Sequence, residues 1–364
     1  MANPVSASAL RPDPWLCRFA VFTAAATLVL ICFGGLVTSH GAGLAVPDWP
    51  NTYGYSLFFF PISKWVGGIF YEHTHRLAGA AVGLLTLILA GWLWRKESRA
   101  WLRWLGVLAF VGVVLQGVLG GLRVVLLKDQ IGLVHGALAQ LFFVLVCLIA
   151  LATSRWWLDA APAENEGTQG QATLRRWVLA ATLLVLGQLV LGAAMRHRHA
   201  GLAVPDFPLA YGRLWPRTDT RFLARYNQQR EEIHAMKPIT ASDVLLQMTH
   251  RLGACVVAAA VAGAWWIARR RLGPGHVLRK SLLAWLGLVA VQVGLGAATV
   301  WTAKSADLAT AHVAVGSLIL ALGGLQTAAA FRLFAPPRSR DLTSAGDLAT
   351  PTQPNGAIGQ PVHP

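Results

Sequence analysis

Apolar runs about twenty residues long recur along the chain, separated by polar segments that are alternately rich and poor in arginine. A helix rises about 1.5 Å per residue, so roughly twenty apolar residues are needed to cross a hydrocarbon layer about 30 Å thick. Eight segments meet that length: 16–38, 76–94, 101–121, 131–152, 176–195, 247–268, 281–301 and 308–331. The pattern predicts an all-α membrane protein with eight transmembrane helices. Arg11 and Arg18 give the first segment a signal-like start, but its length and its place in the repeat described below predict a retained helix.

Composition agrees with the pattern, since 55% of the 364 residues are hydrophobic and 13% charged. A net charge of +15 would suggest a nucleic-acid partner until the basic residues are placed between the spans. Arg95, Lys96, Arg99 and Arg103 flank the second connection, and Arg155, Arg175 and Arg176 the fourth. Arg269, Arg270, Arg271, Arg279 and Lys280 flank the sixth, and Arg332, Arg338 and Arg340 follow the last span. The positive-inside rule then predicts that both termini are cytoplasmic; the expected location is a bacterial inner (plasma) membrane, with lipid as the environment and no nucleic-acid partner. The basic connection 196–246 opposes this rule, yet an even span count keeps it outside. Cys17, Cys32, Cys147 and Cys255 all lie in or beside apolar spans, so no disulfide is expected and the four read as packing residues.

Placing the polar ends side by side exposes a duplication. Gly43-Leu44-Ala45-Val46-Pro47-Asp48-Trp49-Pro50 with Tyr53-Gly54 recurs as Gly201-Leu202-Ala203-Val204-Pro205-Asp206-Phe207-Pro208 with Tyr211-Gly212. Thr74-His75-Arg76-Leu77 recurs as Thr249-His250-Arg251-Leu252, and His135 is answered by His312. Four helices per repeat place both halves in the same orientation, which predicts two tandem four-helix bundles related by a pseudo-twofold axis along the membrane normal. The organisation is then an N-terminal half 1–158, a flexible cytoplasmic linker 159–175, a C-terminal half 176–334 and a disordered tail 335–364.

The repeated histidines carry the candidate chemistry. His75, His135, His250 and His312 each precede the first arginine at the far end of their helix (Arg95, Arg155, Arg269 and Arg332) by about one membrane crossing. All four therefore lie at one depth, near the outer edge of the hydrocarbon. Ionisable residues there are costly and point to function, and two imidazoles per half suit the two axial positions of a haem iron better than the three or four ligands zinc wants. His73 sits two positions before His75 and points elsewhere; since Met248 takes its place in the second half, His75 is the expected ligand. His40, His197, His199 and His234 read as solvated loop residues.

Other residues leave alternatives open. Arg76 and Arg251 are placed either to pair with haem propionates or to anchor the helices at the interface. Gly34, Gly35, Gly117, Gly120, Gly121, Gly187, Gly192, Gly294 and Gly296 offer either close helix packing or a shelf for a flat porphyrin. Glu72, one turn before His75, faces Gln247 as its counterpart. It reads either as a proton-moving carboxylate or as a helix-terminal acid.

With Glu72-His73-Thr74-His75-Arg76, Gly43 to Pro50, Val134-His135-Gly136, Thr249-His250-Arg251 and Ala311-His312, the chain resembles the haem A synthase family across all eight spans. That resemblance implies an oxidoreductase that oxidises the C8 methyl of haem O to the formyl group of haem A. It also implies a haem B cofactor on His250 and His312, substrate haem O on His75 and His135, and Glu72 as the catalytic carboxylate. Haem O synthase, cytochrome oxidase assembly factors and an electron donor that the sequence does not name would be partners. Many relatives carry a cysteine pair in an outer loop, whereas Val46 and Asn51-Thr52-Tyr53 stand here. The alternatives from other classes are a bis-histidine di-haem cytochrome that only relays electrons, and a two-repeat transporter with helices broken near the midplane.

Overall fold

The computed structural model describes residues 13–160, 168–234 and 238–334. Ten α-helices order them: α1 (Pro14–Ser39), α2 (Gly67–Lys96), α3 (Ala100–Leu126), α4 (Asp129–Thr153), the short α5 (Arg155–Asp159), α6 (Thr168–His197), α7 (Thr220–His234), α8 (Ala241–Arg271), α9 (Val277–Trp301) and α10 (Ala306–Leu333). All except α5 and α7 are long and apolar enough to span a membrane, eight in all. Each of the eight is continuous, with no midplane break of the kind a transporter reading requires.

The even-position spans begin earlier than hydropathy indicates. α2 starts at Gly67 rather than 76, and α8 at Ala241 rather than 247. The reason for α8 is local: the Thr240 side chain accepts the Asp243 N–H while Asp243 caps the Thr240 N–H, a reciprocal capping box that starts the helix in polar sequence. The four histidines therefore lie two turns inside their helices rather than at their starts. The connection 213–243, unassigned from the sequence, contains the amphipathic α7. Tyr226 of this helix packs edge-on to Tyr211, and the Asn227 side chain bonds both main-chain groups of Ile239. Of the expected linker, Asp159 ends α5, α6 already runs from Thr168, and 161–167 lie outside the described residues, as does the tail from 335.

Helices α1 to α4 close into one ring of neighbours, α1 beside α2 and α4, α3 beside α2 and α4. Helices α6, α8, α9 and α10 close a second ring in the same cyclic order. The rings meet through α1, α4, α6 and α10. Across this seam Arg196 donates to the Gly35 carbonyl and to Ser39 Oγ, and Gly35 leaves room for Thr310.

Each ring has an apolar core. The first core holds Leu16, Ala20, Ala24, Leu89, Leu93, Leu102, Val146 and Ile149. The second holds Val178, Ala181, Val261, Ala264, Leu278, Leu282 and the fully buried Trp285, whose Nε1 donates to the Ile319 carbonyl at 2.8 Å. In lipid such packing is held by dispersion and interhelical hydrogen bonds rather than by expulsion of water. Both cores are weighted to the half of their ring farther from the histidines, with Ile31 of the first reaching the level of His75. Nearer the histidines a Cβ added to Gly79 or Gly136 would meet nothing within 4 Å, and the same holds at the exposed Gly117 and Gly294.

Candidate functional site

At the histidine-bearing ends sit the two copies of the repeated loop, and the fold explains that motif. Tyr53-Gly54 and Tyr211-Gly212 both have positive φ (49° and 78°; 55° and 72°) and are flanked by the antiparallel bridges Thr52 to Tyr55 and Ala210 to Arg213. Such a turn favours glycine at its second central position. Asp48 locks the first turn by accepting the Tyr53 and Gly54 N–H groups at 2.7 and 2.8 Å, and Asp206 repeats the bond to Tyr211 and Gly212 at the same distances. Burial pushes the Asp48 carboxyl up, but these two amides and the Arg76 guanidinium outweigh it and hold the group below the usual aspartate range.

Each loop is clasped to the helix below it. Glu72 is buried; its Oε2 accepts the Val46 N–H at 2.9 Å and its Oε1 the Arg76 Nη2 at 2.7 Å. Arg76 also donates to the carbonyls of Asp48 (2.7 Å), Asn51 (2.9 Å) and Val46 (3.0 Å). In the second half Gln247 Oε1 accepts the Val204 N–H, and its Nε2 donates to the Gly201 and Val204 carbonyls. Arg251 donates to the carbonyls of Leu209 (2.9 Å), Asp206 (2.7 Å) and Val204 (3.3 Å). Both arginines thus hold loop carbonyls. Sequence reasoning named these residues but missed the clasp, because their partners are main-chain atoms with no side-chain signature.

His73 belongs to the same loop. It is buried, its Nδ1 lies 3.2 Å from Thr52 Oγ1, and its ring packs on Phe60 and Trp65. Met248, its counterpart, is buried with Val204 and Val244. Of the histidines expected in loops, His40 is exposed and stacks on Tyr71, and His199 is exposed. His197 instead lies half-buried at the seam against Gly132, and the His234 side chain lies outside the described residues.

The four repeated histidines come together in two pairs. His75 of α2 and His135 of α4, and His250 of α8 and His312 of α10, stand within electrostatic reach of one another, and all four rings are half-buried. Each packs an edge on a glycine of the preceding helix: a Cβ at Gly34, Gly120, Gly192 or Gly296 would lie 3.1, 3.5, 3.1 or 3.2 Å from the Cε1 of His75, His135, His250 or His312. Those four glycines make room for imidazoles, Gly35 for Thr310 and Gly121 for the Trp49 ring. The rings of His75, His135 and His312 face the main-chain carbonyls of Leu30, Gln116 and Gln292 without closing a well-formed hydrogen bond, while His250 Nδ1 lies 3.1 Å from the Gln188 amide. For His75, His135 and His312, an Nδ1–H turned to a carbonyl is the tautomer that leaves Nε2 free for a metal.

The donor set fits a haem. Among the described residues no three His, Cys, Asp or Glu side chains converge on one point, which disfavours a zinc-type centre, whereas two imidazoles per ring beneath a clasped loop match axial ligation. The four cysteines are free, and Cys255 is exposed rather than buried. The glutamines were missed from sequence, although Gln116, Gln188 and Gln292, each four residues before a glycine inside an apolar span, were visible there.

The fold and site define a polytopic membrane protein built of eight spanning helices with paired intramembrane histidines. Residues 17–323 match the model of the COX15-CtaA family, described as cytochrome oxidase assembly protein, and the chain belongs to that family. It is 28% identical to the haem A synthase of Geobacillus kaustophilus over 92% of this chain and 97% of that protein. It is 31% identical to the haem A synthase of Symbiobacterium thermophilum over 75% and 81%, and 27% identical to that of Methylobacterium nodulans over 83% and 88%.

Proposed function

We propose that this protein is a haem A synthase, an oxidoreductase acting on haem O in the assembly of cytochrome oxidase. The observation that carries this reading is the pair of matched histidine couples, one in each ring of helices, in a chain whose relatives bear that name. A relay-only cytochrome accounts for the couples but not for the relatives.

The finer assignment follows the asymmetry between halves. His250 and His312 hold haem B as resident cofactor, and His75 and His135 hold haem O. A bound haem supplies the redox chemistry that oxidises the C8 methyl group to a formyl. The protein holds each imidazole by a glycine at its edge, and closes each bundle end with a clasped loop that limits water. Glu72 stands one turn from His75 as the carboxylate available to take up a proton at an Oε atom, and using it loosens its bond to Val46 or Arg76. Arg76 and Arg251 act on propionates only through donors that the loop carbonyls leave over.

The same reading places the protein in the bacterial inner membrane with both termini cytoplasmic and the halves related by a pseudo-twofold axis along the membrane normal. Haem O synthase supplies the substrate, and assembly factors receive the product. Chromatography of haems extracted from cells lacking and then regaining the gene tests it. Haem A should disappear and return with haem O changing reciprocally; haem A that persists without the gene overturns the reading.

A further inference from the structure

Each histidine meets the preceding membrane-spanning helix at two positions four residues apart. The outer one is the glycine already described. The inner one is Leu30 for His75, Gln116 for His135, Gln188 for His250 and Gln292 for His312. Leu30 and Gln188 hold equivalent places in the two halves, as do Gln116 and Gln292.

The glutamines of the second half are engaged. Gln188 Nε2 donates to the His250 carbonyl at 2.7 Å and lies 3.1 Å from its Nδ1, and Gln292 Nε2 donates to the His312 carbonyl at 2.9 Å. A carbonyl oxygen has two lone pairs, so each accepts this bond beside its own helical one. Helix α8 is thereby tied to α6, and α10 to α9, at the ligand itself. Among the described residues the first half has no such tie. Leu30 has no donor, and both amide atoms of Gln116 are buried without a partner.

We infer that Gln188 and Gln292 are positioning residues that clamp the two ligand-bearing helices of the second half and so retain its haem, while the unclamped first half is where haem enters and leaves. This rests on the two-haem reading above. A porphyrin ligated from both faces leaves only when its imidazoles draw apart. In the second half that motion breaks two interhelical hydrogen bonds in a water-poor interior, and in the first half it breaks none of this kind. The asymmetry suits a protein that keeps one haem through many turnovers and passes another on. It is independent of Glu72, which lies in the loop clasp.

The test is the rate at which full-length purified protein, haem-loaded in detergent, gives up low-spin haem to excess apomyoglobin. Gln188→Leu and Gln292→Leu should each speed loss of the slowly released haem about three- to twentyfold, the range measured for interhelical hydrogen bonds in membrane proteins. Each should also shift the g-values of the bis-imidazole haem, which a change in global stability alone would not do. Leu30→Gln installs the missing tie, needs no loss of packing volume, and should slow release of the exchangeable haem. Wild-type release rates and g-values in both leucine variants, or unchanged exchange in Leu30→Gln, overturn the clamp. The two-haem reading fails separately, if His250→Ala and His312→Ala keep the wild-type spectrum.

Discussion

Glu72 and Gln247 accept the same hydrogen bond one half apart, from the N–H of Val46 at 2.9 Å and from the N–H of Val204. The difference lies in what else they hold: the carboxylate takes an Arg76 donor at 2.7 Å, whereas the amide gives its own hydrogens to the Gly201 and Val204 carbonyls. A loop anchor needs only the shared bond. Only the carboxylate can in addition take up a proton.

Glu72→Gln separates these tasks. The variant should fold and keep its second-half haem, since glutamine makes the anchor at the equivalent place. Haem A should nevertheless fall about 100-fold, the lower range for loss of a positioned proton-transfer group. Chromatography of extracted haems reads the outcome, and near-normal haem A would confine Glu72 to the clasp.

Ligand substitutions should divide by half. His250→Ala or His312→Ala should abolish the stable low-spin spectrum of the purified protein. His75→Ala or His135→Ala should leave that spectrum and stop conversion. Reduced-minus-oxidised spectra recorded beside haem extraction distinguish the two patterns, and identical losses from all four variants would remove the assignment of halves.

Opening a clasp should expose its loop. Arg76→Ala deletes donors to three carbonyls and the Glu72 pair, and Arg251→Ala deletes donors to three carbonyls. Hydrogen bonds from charged donors are each worth about 1.5–3 kcal/mol, so a loss of at least that order is expected. Limited proteolysis should cut the loop near Tyr53 in the first variant and near Tyr211 in the second, with each cut absent from the other protein.

Acid should open the first loop through Asp48. Its pKa is lowered in the folded protein, so its stabilising contribution is complete above the ordinary aspartate value of about 3.9 and is lost as pH falls through the lowered one. Protease resistance of the 40–66 connection should therefore hold at pH 5 and collapse only in stronger acid. Asp48→Asn should be weaker at pH 7 and lack this transition.

Orientation has its own assay. Alkaline phosphatase fused after residues near 55 or 220 should be active, and fused near 97 or 274 inactive; the opposite pattern would put the histidines near the cytoplasm.

Much of this protein is determined by local chemistry and was open to reading without coordinates. Eight spans follow from apolar length, because hydrocarbon requires every main-chain group to be bonded within its own helix. The duplication and the four histidines follow from repeated residue types. What only the tertiary structure decided are relations between helices and loops. Glu72 and Arg76 turn to the carbonyls and N–H groups of Val46 to Asn51, His73 turns to Thr52 rather than toward His135, and Gln188 and Gln292 reach the histidine carbonyls while Gln116 does not. Main-chain acceptors are the same at every residue, so no residue type records which one a side chain will find. The packing of α1 to α4 and of α6, α8, α9 and α10 is what brings a particular carbonyl within 3 Å.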